Sequence, residues 1–294
     1  MTRRNLLFLA PAALQASGKS LRLVHTQGEK AAAFYGDKPL LDYRYDPSRP
    51  KSYVHPLYLP NGQPVCVDGP PDHVHLRGLM VAWSHVNGID FWGEVNPARH
   101  GAIVHQKFER LTEKTPLEIV ATQHWIAEGK LLLIERRTLR IPVPTADGIM
   151  LEWITEFTPH QEPVSVGTDK HVYNGLGLRF LPSMVLGDTL NSKGTSEISK
   201  ANGEPALWCS YFGKLESGEM AGVAIFDHPG NPRHPSPFFV MNKPYGYLSA
   251  APSFNKEPFP LKPGDRLRFH WGVLSFMGEP KPEVLNRLHR RFSA

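Results

Sequence analysis

The chain has 294 residues, with 33 lysines and arginines against 28 aspartates and glutamates, 41% hydrophobic residues and 10% aromatics. That length holds one large domain or two with a sizeable core, and its 25 glycines and 28 prolines, spread through nearly every segment, exclude a helical bundle. The apolar content argues against disorder, and the one long apolar run, at the N-terminus, is too short to span a bilayer.

Residues 1–16 read as an address. Thr2-Arg3-Arg4-Asn5-Leu6-Leu7 resembles the twin-arginine export motif, followed by the apolar stretch Leu6 to Leu14 and by Ala16, a small residue suited to cleavage before Ser17. The expectation is a periplasmic or secreted protein with one domain over residues 17–294. Cleavage leaves 31 basic against 28 acidic residues, too even a balance to argue for nucleic acid. Many proteins on that route are folded around a metal or cofactor before export, which directs attention to a bound divalent metal ion. Cys66 and Cys209 either form one disulfide or stay as buried thiols, and we favour the thiols.

Beyond the signal the dominant period is two. Strands are expected at 21–26, 40–45, 53–59, 78–83, 103–110, 117–126, 131–141, 151–158, 175–181, 207–212, 220–226, 238–241 and 266–273, punctuated by turns such as Asn61-Gly62, Asn87-Gly88 and Asp147-Gly148. The last segment, Pro282 to Phe292, has proline at the first helical position and Val284, Leu285, Leu288 and Phe292 on one face, which predicts an amphipathic helix capping a sheet. No composition shift marks a boundary. The fold class is therefore all-β, a large antiparallel two-sheet sandwich with a short C-terminal helix.

Fourteen histidines carry the candidate chemistry. In Pro70-Pro71-Asp72-His73-Val74-His75-Leu76-Arg77, two imidazoles two residues apart fall on one side of an extended chain. They could give two ligands to one metal ion, with further ligands from elsewhere, serve directly as general acid and base, or simply be hydrogen-bonded loop residues. Asp72 could fix an imidazole tautomer, and Arg77 supplies a planar fork for sugar oxygens. The segment Asp227-His228-Pro229-Gly230-Asn231-Pro232-Arg233-His234-Pro235 is a proline-stiffened loop displaying Asp227, His228, Asn231, Arg233 and His234. It orients a ligand or caps its own backbone. His55, His105, Tyr173 and Arg179 complete the polar candidates, and Trp83 and Trp92 could stack on a pyranose face. Gly175 and Gly177 make no nucleotide loop because no helix pattern follows them, so no nucleotide cofactor is expected. Glu152 and Glu156, about 13 Å apart along one extended face, are poorly placed as a glycosidase pair.

The runs at 53–58, 71–79, 86–92 and 227–235 resemble the bacterial family catalogued as PmoA-like, over about residues 40 to 277. Members of that family often carry a further histidine where this chain has Leu76. The label points to a methane monooxygenase membrane subunit, which would need several membrane-spanning helices that this chain lacks; what the resemblance implies is association with bacterial sugar catabolism. The expected sandwich is also similar to the supersandwich of galactose mutarotases. Together these imply an exported carbohydrate-active enzyme, cleaving or isomerising a glycoside or oxidised sugar. In that reading His73, His75, Arg77, Asp72 and His228 act in catalysis, and His55, Trp83, Trp92, His105, Tyr173, Arg179, Asn231, Arg233 and His234 bind a small carbohydrate. Membrane insertion is not expected. The alternative is a non-catalytic periplasmic module that binds a glycan or a metal through the same residues.

Overall fold

Period-two alternation becomes two large antiparallel sheets in the computed structural model, which describes residues 20–94, 99–168, 170 and 172–294. The predicted export signal lies outside these residues. The strands are β1 (Leu21–Thr26), β2 (Lys30–Tyr35), β3 (Lys38–Arg44), β4 (Tyr53–Leu57), β5 (Leu79–Trp83), β6 (Ala102–Thr112), β7 (Leu117–Ala127), β8 (Lys130–Ile141) and β9 (Ile149–Pro159). They continue as β10 (Val164–Val166), β11 (Asn174–Arg179), β12 (Asp188–Asn191), β13 (Trp208–Lys214), β14 (Met220–Asp227), β15 (Phe238–Met241), β16 (Tyr247–Ala250), β17 (Phe259–Leu261) and β18 (Leu267–Met277). One sheet runs β1-β2-β3-β4-β5-β11-β16-β15, the other β12-β13-β14-β18-β9-β8-β7-β6, and β10 pairs with β17 on its own.

The alternation read from sequence decides which side chains face inward. Along β9, Leu151, Trp153 and Phe157 are buried while Glu152 and Glu156 are more accessible, and β18 sets Trp271 opposite Trp153. Trp83, Trp125, Trp153, Trp271, Phe157 and Phe269 fill the space between the sheets in offset and edge-to-face contacts, such as Phe269 on Trp271 at 4.9 Å. The helix α1 (Ile198–Ala201) is a single turn. The helix α2 (Pro282–Phe292) starts where predicted and sets Leu285, with Leu288 and Phe292, against Trp208, Phe226, Leu274 and Phe276 on the outer face of the second sheet. Cys66 and Cys209 are both buried free thiols, and burial pushes each up to about 12. No helix among the described residues is long and apolar enough to cross a membrane.

The outer face of the first sheet floors the candidate site. Gly177 of β11 stands opposite Met80 of β5 and Ser249 of β16, and Phe239 of β15 stands opposite Ser249. Because side chains alternate, these residues share one face with Ala82, Gly175 and Tyr247, while Val81, Leu176, Leu178 and Leu248 point into the core. Small residues thus line the centre of this outer face, and larger aromatic ones stand at its side.

An aromatic bowl with two histidines: the candidate functional site

Two turns bring the site's loops onto that face. Gly69, at φ +57, opens the segment into the turns closed by His73 N–H to Pro70 O (2.9 Å) and Leu76 N–H to His73 O (3.0 Å). The histidine segment is therefore not the extended chain that the sequence predicts. His73 and His75 nevertheless converge, with ring centroids 5.6 Å apart, because consecutive turns return alternate side chains to one side. The second turn is Asn87-Gly88, with φ of 51 and 81, the two positive values that suit Asn-Gly in a tight hairpin. It leads to Asp90, whose Oδ1 accepts the N–H groups of Trp92 (2.7 Å) and Gly93 (3.0 Å) and so fixes the indole's backbone.

Between these loops and the sheet lies a cavity of about 190 Å³ lined by His73, His75, Leu76, Trp92, Tyr173, Phe239, Tyr245 and Tyr247. Its aromatic rings touch in sequence: Trp92 to Tyr173 at 5.8 Å, Tyr173 to Phe239 at 5.8 Å, Phe239 to Tyr247 at 5.8 Å and Tyr247 back to Trp92 at 6.2 Å. At the rim His73 Nδ1 lies 3.0 Å from Asp72 Oδ2, and Arg179 Nη1 donates to both Asp72 oxygens at 2.9 and 2.8 Å. The Arg179 guanidinium stacks 4.0 Å over Tyr245, whose ring lies 4.9 Å from His73. Arg179 above all holds the Asp72 carboxyl below its ordinary range. A carboxylate at Nδ1 favours the tautomer that carries its proton there and leaves Nε2 as the acceptor.

His75 sits deeper. Burial first, then the neighbouring Lys51 and His73, lowers it to about 4, so its imidazole is neutral at pH 7. Its Nδ1 and the Tyr247 hydroxyl are buried with no hydrogen-bond partner among the described residues. Behind it runs an ion network. Lys51 Nζ meets Glu94 Oε1 at 3.0 Å and donates to the carbonyls of His75 (3.2 Å) and Trp92 (2.5 Å). Arg77 donates to Glu94 through Nε (3.1 Å) and Nη2 (2.7 Å), with Asp68 at 3.6 Å from Nη1, and Tyr53 donates to Asp68 at 2.8 Å. Burial alone would raise Glu94, but the two cations prevail and hold it low.

Several sequence-predicted residues stand elsewhere. Arg77 does not line the cavity: its fork is occupied by Glu94, so it braces the loop. Trp83 is wholly buried between the sheets, out of reach of a sugar ring, because its parity on β5 turns it inward. His55 lies in β4 with Nδ1 3.8 Å from the Cys66 thiol, and His105 packs against Tyr45 and Phe108, lowered to about 4 mainly by burial; neither lines the cavity. Trp92 and Tyr173 do line it, and Arg179 holds its rim.

The 227–235 loop forms a separate cluster. Asp227 is fully buried, and its carboxylate accepts from Ser236 N–H (2.8 Å), Ser236 Oγ (3.0 Å) and Asn231 Nδ2 (2.7 Å) and meets His234 Nδ1 at 2.7 Å. His228 takes the Gly230 N–H at 3.0 Å and stacks on His270 at 4.7 Å. Arg233 lies over Phe259 at 3.8 Å and donates to the carbonyls of Pro252 and Glu257. None of these residues lines the bowl, so the two histidine motifs do not share one cleft. No group of three or more His, Cys, Asp or Glu side chains that could hold a metal comes together among the described residues. His73 and His75 alone do not complete a tetrahedral set. Glu152 and Glu156 are engaged with His270 and Arg266.

Lys51, Glu94, Asp68, Phe239, Tyr245 and Tyr247 were not singled out by sequence. For Tyr245 and Tyr247 a signal existed in Pro244-Tyr245-Gly246-Tyr247, two tyrosines flanking a glycine where a turn leads into β16.

Fold and cavity together define a two-sheet β-sandwich with an aromatic-lined pocket on the outer face of one sheet. The chain belongs to the family of unknown function DUF6807, whose model matches residues 31–290; that description carries neither the methane-oxygenase label nor a link to sugar catabolism. No curated protein matches the chain. Among solved structures it is similar to the heparan sulfate lyase HepC from Pedobacter heparinus, at TM-score 0.39 and 9% identity over 86% of this chain and 34% of the lyase. It is also similar to the aldose epimerase homologue from C. elegans, at TM-score 0.35 and 12% identity over 89% of this chain and 100% of that one. A third is the 4-alpha-glucanotransferase from Thermococcus litoralis, at TM-score 0.28 and 11% identity over 88% and 38%. The chain thus spans about a third of the lyase's length.

Proposed function

We propose that this protein is a carbohydrate-active enzyme, exported from the cytoplasm, that binds one sugar residue in the bowl and moves a proton with His73. One observation carries the reading: an imidazole held by a carboxylate stands at the mouth of a pocket walled by four touching aromatic rings. The aromatic walls suit the C–H faces of a pyranose. The volume, about that of six waters in the liquid, suits a single ring. His73 Nε2 accepts or returns a proton at a sugar hydroxyl, ring oxygen or glycosidic oxygen, Asp72 keeps the ring oriented, and Arg179 keeps Asp72 in place. A metal ion, if one binds, would need ligands beyond His73 and His75.

The test is turnover of a pool of methyl glycosides and disaccharides, followed by mass spectrometry and by the reducing-end signal. His73→Ala should lose at least about 10²-fold in rate, the usual weight of general acid–base catalysis, while still binding. An unchanged rate in that variant would remove His73 from the mechanism. Saturable binding with the ligand returned unaltered by the wild type would make the protein a binding module.

A further inference from the structure

Among the described residues, the charges behind the bowl and at its rim are paired with one another. Among the described residues no Asp, Glu, Lys or Arg lines the cavity. The cations behind the bowl and at its rim are committed: Lys51 to Glu94 at 3.0 Å, Arg77 to Glu94 at 2.7 Å and to Asp68 at 3.6 Å, and Arg179 to Asp72 at 2.8 Å. Three positive groups thus face three negative ones. A carboxylate or sulfate entering the bowl would lose water and find no lysine or arginine in the lining among the described residues, which is costly in a dry pocket. A hydroxyl meets no such penalty. It both donates and accepts, and so can satisfy His75 Nδ1 and the Tyr247 hydroxyl, the two buried polar atoms of the pocket that have no partner among the described residues.

Resting on the carbohydrate reading of the bowl, we infer that the pocket selects an uncharged sugar ring and excludes uronates and sulfated sugars, with Tyr247 as the residue that reads a ring hydroxyl. Tyr247 is placed for this by the sheet. It is 2% exposed, and a Cβ added at Gly177 would come 2.8 Å from its hydroxyl, so the bare backbone of β11 makes room for it. Discrimination against anions follows from the walls and not from a repelling charge. The consequence for chemistry is definite: β-elimination next to a substrate carboxylate is not the reaction of this pocket.

The test uses the full chain at pH 7.5. Methyl glucoside, galactoside and mannoside are titrated by calorimetry beside the corresponding methyl uronates, for the wild type and for Tyr247→Phe. At least one neutral glycoside should bind about tenfold or more tighter than its uronate, since a lone buried charge costs at least that. Tyr247→Phe should weaken that glycoside about tenfold, the worth of one buried hydrogen bond, with an unchanged circular dichroism spectrum. A uronate binding as tightly as its neutral counterpart overturns the inference and leaves the carbohydrate reading standing. Undiminished neutral binding by Tyr247→Phe removes Tyr247 from its role. If nothing in either series binds, the carbohydrate reading itself falls, and the inference with it.

Discussion

The two histidine-rich loops, 72–77 over the first sheet and 227–235 beside the second, are both rich in polar side chains but use them in opposite ways. In the second loop the hydrogen-bonding capacity is consumed internally: Asp227 satisfies Ser236, Asn231 and His234, Asn231 also ties to both the N–H and the carbonyl of His270, and the Asp227 carbonyl meets His289 Nε2 at 3.0 Å. In the first loop Arg77 is occupied by Glu94 and Asp72 is clamped with His73 and Arg179 at the rim, but His75 faces the bowl with its Nδ1 lacking a partner among the described residues. Where the hydrogen bonds go, more than which residues are present, separates a structural knot from a binding surface.

The sharpest way to break that comparison is to remove one carboxylate from each loop. Asp227→Ala should cost about 3–5 kcal/mol of stability, the penalty of breaking a buried, hydrogen-bonded charge cluster, read as a large fall in Tm. Asp72→Ala, at a half-exposed carboxyl, should change stability by about 0.5 kcal/mol or less yet slow any turnover that depends on His73. Equal destabilisation by both would erase the distinction. Lys51→Met should have an intermediate effect, about 1–3 kcal/mol for buried acceptors left unsatisfied, accompanied by a shift in tryptophan emission because the Trp92 carbonyl loses its donor. An unaltered emission spectrum would show that Lys51 does not hold the bowl's wall.

The smallest effect is on pH dependence. His75 falls from an ordinary 6.5 to about 4 in the folded chain, so between these values the unfolded chain holds more protons than the folded one. Stability from this group is therefore present above about 6.5 and lost as pH falls toward 4. His75→Gln should flatten part of the slope of stability against pH in that window, and only part, because His105 is shifted to about 4 mainly by its own burial. An identical slope in the variant would place the titration elsewhere.

Much of the architecture was legible because burial on one face imposes alternation: 151–158 and 266–273 read as strands and are paired as β9 and β18. The strand β2 was missed because Ala31-Ala32-Ala33 has little β-propensity and is held there by packing between β1 and β3. β16 is only four residues long, with Ser and Ala among them. Of the site, the histidine pair and the aromatic candidates Trp92 and Tyr173 were readable, since residue type alone flags them. The partnership of Asp72 with Arg179 spans 107 positions, and Lys51 joins Glu94 across the sheet's cover. Long-range pairing of this kind leaves no periodic trace, which is also why Arg77, promising by composition, turned out to be engaged within the protein.

Gly177 has a consequence for how the pocket can respond. Its bare backbone, in a central strand hydrogen-bonded on both sides between β5 and β16, leaves room for the Tyr247 hydroxyl, so one wall of the bowl rests on main chain. Such a support cannot be remodelled without breaking the ladder. The place of Tyr247 is fixed before any ligand arrives, so little conformational freedom is lost at that wall on binding, and adaptation to a larger ring has to come from the loops that carry His73, Trp92 and Tyr173.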